Sequence, residues 1–99
     1  MDMIKRDNQY SLKEAIDALI RAYGFHDKLL ETTLIGSWDK VVGGVYAAHT
    51  LYLKVKDRTL FVQMDAPALR QELSMQKSKL IQKLNAQTGE KTIDDIVFR

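Results

Sequence analysis

The chain has 99 residues, of which 45% are apolar and 28% charged, with a net charge of +2. This is the composition of one small soluble globular domain, and it excludes wholesale disorder. With no cysteine and no apolar run of about 18 residues, disulfides, cysteine-based zinc sites, thiol nucleophiles and a membrane-spanning helix are excluded as well.

Residues 1–10, MDMIKRDNQY, are polar and mixed in charge and lack the apolar core of a signal peptide. They predict a flexible N-terminal arm ahead of a single domain over residues 11–99, and the absence of cysteine and of a signal peptide makes the cytoplasm the expected location. Ser11-Leu12-Lys13-Glu14 reads as a capping box that opens a helix. Leu12, Ile16, Leu19, Ile20 and Tyr23 recur at helical spacing, and Gly24 can end the helix in the left-handed conformation. A second helix is expected over residues 27–42, with Leu30, Leu34, Ile35, Trp38, Val41 and Val42 as its stripe. Thr32, Thr33 and Gly36 weaken it, so it is either held by packing or kinked there. Gly43 and Gly44 stop it and let the chain turn sharply into a sheet, with His49-Thr50 at the entry to the first strand.

The apolar period then switches to two. Leu51, Leu53 and Val55 alternate with Tyr52, Lys54 and Lys56; beyond Asp57-Arg58, Leu60, Val62 and Met64 alternate with Phe61 and Gln63. With Asp57-Arg58 as the loop, Lys56 pairs with Thr59, Leu53 with Val62 and Leu51 with Met64, which brings every aliphatic to one side. Asp-Arg is not a favoured two-residue turn, and a four-residue loop keeps the same register. Pro67 opens a third helix carrying Leu69, Leu73, Leu80 and Leu84, and Gly89 closes it. A last short strand holds Ile96 and Phe98 on one face. The order α-α-β-β-α-β predicts an α+β domain of two layers, a three-stranded sheet with its helices packed on one face.

Catalytic signatures are lacking. His26 and His49 have no metal-binding spacing, and Asp94 and Asp95 are adjacent, so on a strand they point to opposite faces. There is no nucleophile elbow or dinucleotide fingerprint, and VGG is too short for a phosphate loop. The reading is a non-enzyme without metal or cofactor. Trp38 could stack on a base, but it shares a stripe with Leu34 and Val41, which assigns it to the core; Gly43 and Gly44 read as a structural turn and His49 as a capping or turn residue at the strand entry. The polar side of the hairpin carries Tyr52, Lys54, Lys56 and Phe61 around Arg58. Aromatic and basic side chains on an open sheet face resemble the platforms on which single strands stack. Residues 40–91 hold nine basic and four acidic side chains, and Arg70, Lys77, Lys79 and Lys83 form a basic edge on the third helix. Both features suit a polyanion. The same hairpin face could equally receive a protein.

Several marks follow one another in fixed order: Trp38, Val42-Gly43, Ala48-His49-Thr50, Leu60, Val62, Glu72-Leu73, Leu84-Asn85, Gly89, Ile96 and Phe98-Arg99. From Tyr10 to Arg99 the chain resembles the DciA family of bacterial proteins. The resemblance implies a fold similar to the K-homology (KH) domain and an accessory role to the replicative DNA helicase in its loading on single-stranded DNA. The zinc ribbon suggested for some members has no ligands here, and there is no GxxG loop to supply a KH backbone clamp. Leu69 stands where many relatives have Trp, and the extra tail of larger relatives does not follow the core. The sequence therefore predicts a domain that binds single-stranded DNA or RNA weakly and assists the helicase, with a protein–protein adaptor as the alternative.

Overall fold

The structure, a computed structural model, describes residues 8–99. Nine elements follow in order: α1 (Asn8–Ala22), α2 (Phe25–Gly36), α3 (Trp38–Val42), α4 (Gly44–Ala48), β1 (Thr50–Lys56), β2 (Thr59–Met64), α5 (Pro67–Ser74), α6 (Lys77–Thr88) and β3 (Asp95–Phe98). Among the described residues the fold is α+β, with six helices and one mixed sheet of strand order β1-β2-β3. β1 and β2 form the antiparallel hairpin, whereas β3 runs parallel to β2 after the crossover through α5 and α6.

The central strand sorts its side chains by alternation. Leu60, Val62 and Met64 face the helices and are buried, while Phe61 and Gln63 point to the other side. Leu34, Trp38, Leu73, Leu80, Leu84, Ile93 and Ile96 complete the core, and Leu53, Val55 and Leu69 pack against it. Trp38 is completely buried. Its indole Nε1–H donates to Thr50 Oγ1 at 3.0 Å, and that hydroxyl donates to the Tyr46 carbonyl at 2.8 Å. One buried ring thus ties α3 and α4 to the first residue of β1 with no polar atom left unsatisfied.

The expected helices are cut more finely. The one expected over 27–42 begins at Phe25 and breaks at Ser37, whose hydroxyl takes the Leu34 carbonyl at 2.7 Å. Serine competing for helix carbonyls bends helices in this way, and the break falls beside the poor helix former Gly36. Gly43, at φ +89° and ψ 166°, lies in a region essentially open only to glycine and separates α3 from α4. The chain therefore makes one more helical turn, α4, before the sheet rather than turning directly into it. The expected third helix is likewise two: Ser74 Oγ donates to the Gln71 carbonyl at 2.7 Å where α5 ends.

In the hairpin, Lys56 pairs with Thr59, Lys54 with Phe61 and Leu53 with Val62. Leu51 departs from the expected register. A bulge between Thr50 and Tyr52 sets Thr50 opposite Met64 and leaves Leu51 exposed. The turn is the two-residue one: Asp57 (φ 51°) and Arg58 (φ 60°) both adopt the left-handed conformation that a type I′ turn requires. That conformation is unfavourable for arginine, and its side chain offsets the cost. Arg58 Nε donates to Asp94 Oδ2 at 2.8 Å, and one Nη donates to Asp94 Oδ1 at 3.1 Å and to the Lys91 carbonyl at 2.8 Å. The Asp94 N–H returns a bond to the Arg58 carbonyl at 2.7 Å. The hairpin tip is thereby stapled to the segment leading into β3. Asn85 clamps that segment from the helical side, donating to the Ile93 carbonyl and accepting from the Thr92 and Ile93 N–H groups, all at 2.9–3.0 Å.

α1 departs most from expectation. It begins at Asn8 rather than at a Ser11 cap, so residues 8–10 of the expected arm are helical and residues 1–7 lie outside the described residues. Nor does α1 cover the sheet. Leu12, Ile16, Leu19 and Tyr23 are exposed, and the molecule extends 60 Å along its longest axis against 24 and 21 Å across. Gly24, left-handed at φ 74°, joins α1 to α2 directly, and the Tyr23 and Phe25 rings stack across it at 6.2 Å. The sheet's apolar face is already filled by α2, α3, α5 and α6.

Two outcomes follow from this packing. Trp38→Ala empties the largest buried site and should cost about 3–5 kcal/mol in a denaturant melt, against which a loss below about 1 kcal/mol would contradict the core role. Asp94 gives the second. Hydrogen bonds from Arg58 hold its carboxyl below the ordinary carboxylate range. Its stabilising contribution is thus complete above the carboxylate pKa of the unfolded chain and lost as pH falls through the lower folded-state value. NMR titration should find the Asp94 midpoint depressed and returned to the ordinary range by Arg58→Met; an Asp94 midpoint indifferent to Arg58→Met would exclude the staple.

Candidate nucleic-acid interface

The side of the sheet away from the helices carries a hollow of roughly 260 Å³, lined by Tyr52, Lys54, Lys56, Phe61, Gln63 and Arg99 with the Val62 backbone strand beneath. Period-two geometry builds it. Tyr52, Lys54 and Lys56 are the outward residues of β1, and Phe61 and Gln63 those of β2. Lys54 stands directly opposite Phe61, and Tyr52 opposite Gln63. Tyr52 is 55% exposed. Phe61 is half-buried.

Arg99 completes the hollow and was not among the expected contact residues. Its N–H donates to the Val62 carbonyl at 2.8 Å, and its carbonyl accepts from the Met64 N–H at 3.0 Å, so its backbone continues the β2–β3 ladder. Its guanidinium lies over the Phe61 ring, 4.8 Å from the centroid, in a cation–π contact. The signal was present in the sequence. If Ile96 and Phe98 point to the core, Val97 and Arg99 must point to the open face, where Val97 pairs with Phe61.

The other expected contact residues do not join this hollow. Arg58 sits at the hairpin tip and is engaged by Asp94, its guanidinium held more firmly protonated by that hydrogen bond. Arg70 lies on α5, and Lys77, Lys79 and Lys83 lie on α6, in the helical layer that covers the opposite face. Lys77 is 3.2 Å from Asp95 Oδ1. The Asp95 carboxyl is held low first by the Ile96 N–H and then by Lys77. Among the described residues, Lys54, Lys56, Lys79 and Lys83 make no ion pair.

Of the expected structural residues, Trp38, Gly43 and Gly44 belong to α3, α4 and the break between them, and His49 precedes β1. His49 Nδ1 lies 2.8 Å from Asp65 Oδ1, and the Asp65 N–H donates to the His49 carbonyl at 3.1 Å, which clips the start of β1 to the residue after β2. Nearby, the Tyr46 hydroxyl donates to Glu72 at 2.6 Å, joining α4 to α5; that bond holds the phenol's pKa above its ordinary value. The described residues contain no group of three or more histidine, cysteine or acidic side chains placed to hold a metal ion, and no helix long and apolar enough to cross a membrane.

The family described as "Dna[CI] antecedent, DciA" matches residues 11–98. Two curated relatives are UPF0232 proteins. One, from Rhodococcus jostii, is 29% identical over 80 residues, covering 81% of this chain and 43% of the relative. The other, from Mycolicibacterium paratuberculosis, is 31% identical over 71 residues, covering 72% of this chain and 39% of the relative. The chain thus spans about two fifths of the length of these relatives. No solved structure matches the chain significantly.

Proposed function

The chain belongs to the DciA family, and from that premise we propose that it is a non-enzymatic, cytoplasmic, nucleic-acid-associated domain that assists loading of the replicative helicase by holding single-stranded DNA or RNA weakly on its open sheet face. One observation carries the reading: two aromatic rings and three cations share a single hollow that none of the described helices covers, with Lys54 opposite Phe61 and the Arg99 guanidinium over the Phe61 ring. A strand needs both components. Bases stack on aromatic or guanidinium planes, and phosphates pair with flexible cations. Tyr52 offers its exposed ring directly, while a base reaching Phe61 either displaces Arg99 or stacks upon it. Lys54 and Lys56, on the same side of β1, are placed for the backbone that such a strand would present.

Nothing in this hollow reads sequence strongly. Stacking accepts any base, and Lys contributes a point charge rather than a bidentate fork. Binding is therefore weak, tolerant of sequence and dependent on salt. Fluorescence anisotropy with a short single-stranded DNA at low and at physiological salt tests this. The log–log slope should be about −0.7 per phosphate neutralised, Lys54→Ala should flatten it, and Phe61→Ala should cost about 1–3 kcal/mol of binding in a protein whose melt shows it folded. Absence of binding even at low salt would leave this face to a protein and make the domain an adaptor.

A further inference from the structure

α1 is an amphipathic helix whose apolar side meets solvent. Leu12, Ile16, Leu19 and Tyr23 are 49%, 48%, 57% and 68% exposed. They follow one another at intervals of four, three and four, the a/d seam of a coiled coil. Lys13, Glu14, Asp17 and Arg21 lie outside the seam line. The positions beside it hold Ala15 and Ala22 on one flank and Lys13 and Ile20 on the other. A helix of this length is marginal alone in water. Its ion pair from Lys13 to Asp17 at 3.7 Å is solvent-exposed and adds little. Exposed apolar area on a marginal helix calls for a cover.

The seam identifies the cover, because it is its own complement. Reversed end to end, intervals of four, three and four read the same. Two antiparallel copies place Leu12 against Tyr23 and Ile16 against Leu19, then the same two layers again across a two-fold axis between Ile16 and Leu19. Every layer pairs an a position with a d position. Ala15 faces Ala22 along one flank, which permits close approach, and along the other the Lys13 stem lies beside Ile20, so no like charges meet. The shape of the molecule selects the same arrangement. The globular body is attached at the C-terminal end of α1 through Gly24, so antiparallel helices hold the two bodies at opposite ends, whereas parallel helices would force them together. A closed two-fold contact of this kind also stops at two copies.

We propose that α1 is a self-recognition element and that the chain forms an antiparallel dimer through Leu12, Ile16, Leu19 and Tyr23. The seam is short, so association is weak and reversible, as small interfaces are. Sedimentation velocity on the full chain, from low micromolar concentration upward, should show a monomer–dimer equilibrium. Ile16→Asp, at an exposed position of the free chain, should weaken it at least about a hundredfold while the thermal melt of the body remains. The cysteine-free sequence permits a second measurement with a short bis-maleimide. A mixture of Ala15→Cys and Ala22→Cys chains should cross-link to a heterodimer, and neither variant alone should do so. A monomer at every concentration, a dimer indifferent to Ile16→Asp, or self-cross-linking of Ala15→Cys without the heterodimer would each overturn the proposal.

Discussion

Strand β2 lies between two partners, and its side chains alternate between a dry face and an open one. Leu60, Val62 and Met64 go to the helices, and Phe61 and Gln63 go to the other side. Each fully buried aliphatic is worth about 1.5–3 kcal/mol. A slip of one residue would expose all three and bury Gln63, so the register is strongly fixed. The helical layer depends on this choice, because the stripes of α2, α5 and α6 need that aliphatic face to pack on. The hollow depends on it as well, since the same pleat that dries Leu60 and Val62 turns Phe61 outward between Lys54 and Val97.

What the sequence revealed follows from the range of each interaction. The hairpin pairing from Leu53 to Val62 was legible because period-two alternation is local, whereas the turn stayed open between two and four residues because Asp-Arg is not a favoured pair there. Leu51 was not, because a bulge changes the count without leaving a mark in the apolar pattern. The poor helix formers around Gly36 announced a weak point, but the break itself depends on Ser37 capturing a carbonyl. For α1 the periodicity gave the apolar face correctly and could not say what that face meets; Gly24 and a core already filled by other helices direct it outward. Arg99 lay within reach of the alternation in Ile96-Val97-Phe98-Arg99. The clamp made by Asn85 did not, since its three bonds exist only once α6 and the approach to β3 are folded together.

Charge counted along the chain also differs from charge arranged in space. The basic middle segment spends Arg58 on Asp94 and Lys77 on Asp95, where they hold the start of β3 in place. Lys79 and Lys83 remain on the helical layer without an aromatic side chain beside them on α6. Around the open hollow, three cations share space with two rings. The case for a single-strand platform therefore rests on adjacency rather than on net charge, which at +2 steers little by itself.

The two basic surfaces face opposite ways, and chemical-shift mapping with a short single-stranded oligonucleotide separates them in one titration. Contact through the sheet predicts perturbations at Tyr52, Lys54, Phe61 and Arg99, with the outward positions of α6 unmoved. Perturbations confined to residues 70–83, with Tyr52 and Phe61 unchanged, would contradict it.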